Sequence, residues 1–408
     1  MSEITKPIIL DETFAAAMNK QNALLEVIAA SSLRTLASDW AGLSDLADSG
    51  LFGEAYSIGD QFVDVWKDTA ANNQEYTYPY QLNHIGTVEL QDGETLENRP
   101  FLQAHYAHPF GVQFSHQRAF LKCPEGLAAG TYYVTIESAW GSNVTAGMVV
   151  CFTLANAVPA GGRVAGMYGA PDQNKNNWRI YSYSADGKTV LETVTPTFTA
   201  SGTDLGTIKA TVRNGNLNSM QETAYGWNRW SKSAIRQYLN SAAGVGAWWT
   251  AQDEWDIAPD QLTTKAGFLS GCSEEFIKAI KTVKVVTYPN TVNDDPQGNT
   301  PDITYDKVFL PSLEQMYCNP QKAGEGEYHE YWKRRTGRTT PCAQGGTYPE
   351  LIHYAVENHT SPQYVRLRSA YRGFANIAWL VYSSGFVGSY GGYSAASGAY
   401  RFSPLVVL

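Results

Sequence analysis

Three runs between residues 131 and 183 limit most strongly what this chain can fold into. They read TYYVTI (131–136), MVVCFTL (148–154) and WRIYSY (178–183), and Ala129-Gly130, Gly161-Gly162 and Asp186-Gly187 punctuate them. β-Branched and aromatic residues suit a pleated, half-buried surface, and the glycine pairs suit tight turns. Regular spacing of this kind predicts a β-sandwich-like domain over 119–212. The segment 195–203 is Thr, Ser, Ala and Gly apart from Pro196 and Phe198, and it reads as the border of the next unit. Upstream, Phe62, Val65, Tyr76, Tyr78, Val88 and Leu90 fall in short alternating runs bounded by Asp92-Gly93 and by Pro and Asn clusters. They predict a further β-rich domain over 51–118.

Helical signals frame these strands. Phe14, Met18, Gln21, Leu25 and Ile28 follow a 4-3-4-3 spacing that puts them on one seam of a helix over 11–38. Residues 1–50 are therefore expected as a helical segment that trimerises the chain. The competing reading is an amphipathic helix docked on its own domain. In the C-terminal half, Ser231 is expected to cap a helix carrying Ile235, Tyr238 and Leu239 on one face. Ser273 with Glu274 and Glu275 opens another helix, which leads into a strand at 283–288. A buried strand at 308–310 leads to Ser312-x-x-Gln315, a capping box. Residues 213–408 thus read as one α+β domain. The expected fold class is multidomain and β-rich, in keeping with the about two to four domains that 408 residues predict.

Composition excludes several functions. A net charge of −9 gives no basic face for nucleic acid. Five scattered cysteines, none in C-x-x-C spacing, support neither a zinc ribbon nor a thioredoxin-type site and read as reduced, partly buried thiols. The first thirty residues lack an uninterrupted apolar stretch, so no signal peptide is expected, and no window is long enough for membrane insertion. Walker, dinucleotide, zinc-protease and nucleophile-elbow motifs are absent. His84, His105, His108 and His116 cluster in sequence but bring no Cys or carboxylate at ligand spacing, so no metal is assigned. Asn293, Asp294, Asp295, Gly298, Asn299 and Asp302 lack the alternation of a calcium loop and read as a polar turn. No cofactor is expected, and no catalytic residues stand out.

The C-terminus is unusual. Of the thirty residues 371–400, Arg372 alone is charged, where the chain's 17% would give about five. Lys, Glu, Gln and Met are missing, and none of these has a codon ending in a pyrimidine. The Tyr, Phe, Ser, Gly, Ile and Leu present all do. Asparagine codons randomised at their first two bases would leave this residue set. Tyr, Ser and Gly between fixed anchors is also how paratopes are composed, because tyrosine gives contact area at low entropic cost.

Four stretches carry a family likeness. They are Tyr225-Gly-Trp-Asn-Arg-Trp-Ser-Lys-Ser-Ala-Ile-Arg-Gln-Tyr-Leu-Asn-Ser241, Ala247-Trp-Trp249, Asp306-Lys-Val-Phe-Leu-Pro-Ser-Leu-Glu-Gln-Met-Tyr317 and Val365-Arg-Leu-Arg-Ser369. Together they resemble the variable proteins of diversity-generating retroelements, those of gut phages above all. The stretch from Gln103 to Ser115 is also similar to the phage proteins that carry this domain. The resemblance implies a C-type-lectin-like fold over 213–408 with a diversified ligand-binding surface. The implied variable positions are Tyr371, Gly373, Phe374, Ile377, Leu380, Tyr382, Phe386, Gly388, Ser389, Tyr390, Tyr393 and Tyr400, with Trp379, Arg368 and Arg401 as their scaffold. The sugar-binding triplets of calcium-dependent lectins are absent.

The function this implies is that of a phage virion receptor-binding protein, an adhesin rather than an enzyme. It would be made in the host cytoplasm and would attach through its N-terminal region to other virion proteins. Its target would be a protein or glycan receptor on a host bacterium, with three copies adding avidity. The alternatives are a structural virion component (capsid decoration or baseplate) and, less favoured, an enzyme acting on surface glycans.

Overall fold

The computed structural model describes residues 18–22, 25, 29–34, 38–116, 119–137, 146–166, 178–208, 227–291, 299–388 and 398–408. Strand accounts for 35% and helix for 18%, spread over several sheets with no barrel, so the molecule is β-rich. Residues 18–22, 25 and 29–34 are helical, and a second helix, Trp40–Asp48, is capped by the Asp39 carboxylate, which accepts from Gly42 N at 2.8 Å.

The first sheet explains its own sequence pattern. Strand Gln61–Asp68 alternates strictly between exposed and buried side chains, as a strand with one face on a core must. It pairs antiparallel with Gln74–Glu89, which pairs with Thr95–Ala104. The fourth strand comes from the far end of the chain. Leu405–Val407 pairs antiparallel with Thr95–Ala104, setting Leu405 opposite Gln103 and Val407 opposite Phe101.

Residues 119–208 hold two further sheets. One runs Ala119–Cys123, Gly162–Gly166, Ile180–Tyr183, Val190–Val194, and the other Thr203–Ile208, Gly130–Ile136, Val149–Leu154. Both contribute to one apolar cluster that includes Phe120, Val134, Phe152, Val164 and Ile180. The stretch 195–203 is not a border. Thr197 exchanges both backbone hydrogen bonds with Cys151 at 2.8 Å, Phe198 packs edge-on against Trp178, and the strand after it completes the second sheet. This weakly patterned stretch therefore crosses within the unit.

The C-terminal part contributes a hairpin of Val283–Thr287 with Asp302–Asp306 and a four-stranded sheet ordered Val387–Gly388, Ala378–Val381, Val365–Ala370, Arg401–Phe402. The helix expected from Ser231 starts two residues later. Ser233 caps Ala234–Leu239 by accepting from Arg236 N, while the Ser231 hydroxyl is bound to Asp302. Ser273 caps Glu274–Ala279. Ser312 and Gln315 make both bonds of a capping box, each 3.1 Å, around a turn.

Residues 51–118 and 213–408, expected as separate domains, share one core. A single cluster joins Trp40, Trp66, Tyr78, Leu102 and Phe114 to Trp230, Tyr238, Phe268, Phe402 and Leu405. Trp66 donates its indole N–H to Phe268 O at 2.9 Å. The imidazole of His108 joins the hydroxyls of Tyr78 (2.6 Å) and Tyr238 (3.1 Å) across it. Alternation within each stretch reveals a buried face but not which distant stretch covers it.

Leu405 is fully buried in this joint. Leu405→Ala should cost about 2–5 kcal/mol. Hydrogen exchange should then accelerate together in Thr95–Ala104 and Val365–Ala370. Faster exchange in only one of the two strands would contradict a shared core.

Candidate functional site

The segment singled out by its composition is built around one side chain. Asn228 is fully buried, and its Nδ2 lies 3.1, 2.8 and 2.7 Å from the carbonyls of Tyr371, Phe374 and Ile377. Its backbone N–H reaches Ala375 O at 2.7 Å, and its Oδ1 accepts from Asn290 at 3.1 Å. Thr291 donates to Arg372 O through both its backbone N–H and its hydroxyl, each at 2.9 Å. Gln321 Oε1 accepts from Arg372 N at 2.8 Å and from the Trp379 indole at 3.4 Å. The loop 371–377 is thus held through its backbone, so changes at its partly exposed positions Tyr371, Gly373 and Phe374 need not disturb it.

Two groups of rings stand on this frame. Tyr371 packs against Phe374 and Trp379, with centroids 5.6 and 5.4 Å away. Tyr382 packs against Phe386 at 5.2 Å and Tyr364 at 4.9 Å, and Tyr364 lies 5.8 Å from Tyr400. Tyr371, Phe374, Tyr382, Phe386 and Tyr400 are half-buried, and Tyr364 is 40% exposed. Rings that are supported on one side and open on the other give contact area with little ordering cost.

Other implied positions differ. Ile377 is 7% exposed and Leu380 0%, because both belong to the inner packing around strand Ala378–Val381, so neither is a contact residue. Gly388 is buried too, and a Cβ there would stand 2.2 Å from the Phe386 ring. A side chain at 388 therefore requires Phe386 to move. Gly373 is partly exposed, with only the Tyr371 ring 3.2 Å from a would-be Cβ. Ser389, Tyr390 and Tyr393 lie outside the described residues.

Of the scaffold residues, Trp379 is buried beneath Tyr371, and Arg401 pairs with Glu357 at 2.7 Å. Arg368 is buried among Leu310 O, Gln315 and Glu325 O, away from the ring groups in its bonding. Burial lowers its guanidinium to about 10, against the pull of Glu325. Arg366, which belongs to the quoted stretch 365–369 but not to the implied scaffold residues, has its guanidinium carbon 5.4 Å from the Phe114 ring centre and 5.8 Å from that of Tyr400, and it donates to Val112 O at 3.2 Å. Val112 and Phe114 therefore support the C-terminal segment through Arg366. A Cβ on Gly111 would meet the carbonyls of Gly398 and Tyr400 at 2.4 Å.

The sequence-clustered histidines have separate partners: Glu327 for His84, Gln81 for His105, Tyr78 and Tyr238 for His108, and Gln113 for His116. Among the described residues no group of three or more His, Cys, Asp or Glu is placed to hold a metal ion. Asp302 accepts from Arg229 Nε and Nη2 at 2.6 and 2.7 Å, which with the Ser231 hydroxyl holds its carboxyl below the usual range despite burial. Asn293, Asp294, Asp295 and Gly298 lie outside the described residues.

Residues 184–405, more than half of the chain, match the model of DUF6273, a domain of unknown function, and the chain belongs to that family. The match begins inside the sandwich-like unit and takes in the frame, both ring groups and Asn228. No curated protein and no solved structure matches the chain.

Asn228→Ala removes a buried donor that serves three carbonyls, and should lower stability by roughly 1–3 kcal/mol in urea unfolding. Tyr371→Ala, which leaves the loop backbone bonded, should cost less. Equal losses would contradict the backbone-clamp account.

Proposed function

We propose that the protein is a receptor-binding protein of a phage particle, with a C-type-lectin-like head over 213–408 that offers a replaceable contact surface to a host bacterium. The observation that carries this reading is the pair of ring groups in a nearly uncharged segment whose backbone, not its side chains, is tied down. Large partly exposed rings on a fixed frame are the chemistry of binding hot spots. The ligand is a protein or glycan on the cell surface, and the role is adhesion rather than catalysis.

The N-terminal helical region serves attachment and trimerisation. Met18 and Leu25 are 42% and 55% exposed, so the chain's own described residues leave the expected seam open. The far end is fastened, with Arg34 Nε donating to Ala55 O at 2.5 Å and Leu33 packed on the core. Exposed apolar positions at Met18 and Leu25, upstream of a fastened stretch, suit contact with other copies of the chain. Three weak sites would then act together.

The test uses purified full-length chain on a panel of gut bacterial strains. Wild type should bind a subset of strains as a trimer by light scattering. A variant with Tyr371, Phe374, Tyr382 and Phe386 all changed to Ala should fold and remain trimeric, but lose at least about tenfold in binding. Binding unaffected by the four changes, or attachment only to phage particles through this face, would overturn the reading. The second result would favour a structural virion component.

A further inference from the structure

Two of the five cysteines meet. Cys318 and Cys342 are partners in a parallel β-bridge, framed by Cys342 N donating to Tyr317 O and Asn319 N donating to Cys342 O, each at 2.9 Å. Strands so paired lie about 4.7–4.9 Å apart. That is inside the roughly 4.4–6.8 Å that a disulfide spans between Cα atoms. The side chains also point toward each other, since the two thiols lie within hydrogen-bonding reach. Both cysteines are free thiols in the structure, and both are fully buried. They share one apolar cluster with Met316, Trp332, Leu351 and Trp379. A neutral disulfide suits that setting, because burial disfavours a thiolate charge.

The pair sits where the supports of the two ring groups come together. Just past Cys318, Gln321 accepts from Arg372 N and from the Trp379 indole, beneath Tyr371. The stretch after Cys342 holds the turn that carries Tyr382 and Phe386. Gly345 N donates to Val387 O at 2.8 Å, Val387 N to Gly346 O at 2.9 Å, and Tyr348 N to Gly385 O at 2.9 Å. A covalent bond between 318 and 342 would tie both supports at one point. It would also close the intervening chain, with helix Glu330–Thr336, into a loop that limits the freedom of the unfolded state.

We propose that Cys318 and Cys342 are an oxidative cross-linking site, whose disulfide fastens the supports of the two ring groups to each other. The oxidant is a low-molecular-weight disulfide such as oxidised glutathione. One protein thiolate attacks it and expels a small thiolate, and the second protein thiolate then displaces the other small thiolate from the mixed disulfide. The two cysteines lose two electrons and two protons, and one small disulfide becomes two thiols. The native core shields both sulfurs, so the exchange takes place as the chain folds, before the cluster closes. The site rests on backbone pairing and holds whether or not the rings contact a receptor.

The test refolds the full chain from urea in reduced and oxidised glutathione, then alkylates the denatured product and maps it by mass spectrometry. Three of the five cysteines should take up the label, and a non-reduced tryptic digest should contain peptide 308–322 joined to peptide 339–366. Cys342→Ala should leave all four remaining cysteines open to the label, whereas Cys272→Ala, outside the pair, should keep the link. Hydrogen exchange over 343–348 and 371–375 should be at least about tenfold slower in the oxidised protein than in the reduced one. Five labelled cysteines after oxidative refolding, or a link between other cysteines, would overturn the proposal, and the wild-type map decides this even where a variant fails to fold. Equal exchange in the two forms would overturn the fastening role.

Discussion

The hydrogen-bonding of residues 401–407 to two sheets at once is the constraint on which the rest of the molecule depends. Arg401–Phe402 pairs parallel with Val365–Ala370, and three residues later Leu405–Val407 pairs antiparallel with Thr95–Ala104. Between them, Ser403 donates to Ala104 O and Pro404 O accepts from Ala104 N. The segment 371–400 is therefore bounded by strands that belong to one core. Replacing its partly exposed side chains, such as Tyr371, Phe374, Tyr382 and Phe386, leaves the pairing of those bounding strands in place.

This division of labour follows from where the polar groups are satisfied. Loop 371–377 has its carbonyls met by Asn228 and Thr291, and the 382–386 turn closes on itself through Tyr382 N to Phe386 O at 2.9 Å. Gly385 adopts φ 80° there, and a side chain would strike Tyr348 O at 2.2 Å, so that glycine is part of the frame. Backbone bonds, together with Gly385, hold these turns without relying on the partly exposed ring side chains. The ring groups are then free to serve as contact area.

Much of the local structure was legible. Alternation and turn pairs marked the strands of 119–208, and Ser273 with two glutamates marked its helix, because both signals are local. Ser231 misled because a short 3₁₀ turn, Trp230–Lys232, precedes the true cap. The shared core was not legible, since its halves lie hundreds of residues apart. Asn228 was missed for the same reason: its three acceptors are 143 to 149 residues away. Ile377, Leu380 and Gly388 were drawn in through the family resemblance, which does not say which way a side chain faces.

The most direct test of the account is DNA sequence. The coding DNA of 371–400 should be compared with any near-copy in the flanking genome. A replaceable surface on a fixed frame predicts that differences fall at adenines of the near-copy. Among the described positions, the altered codons should be those of partly exposed residues such as Tyr371, Gly373, Phe374, Tyr382 and Phe386, and should spare Trp379 and Gly385. Differences scattered over all bases, or concentrated in the buried codons of 377–381, would contradict it.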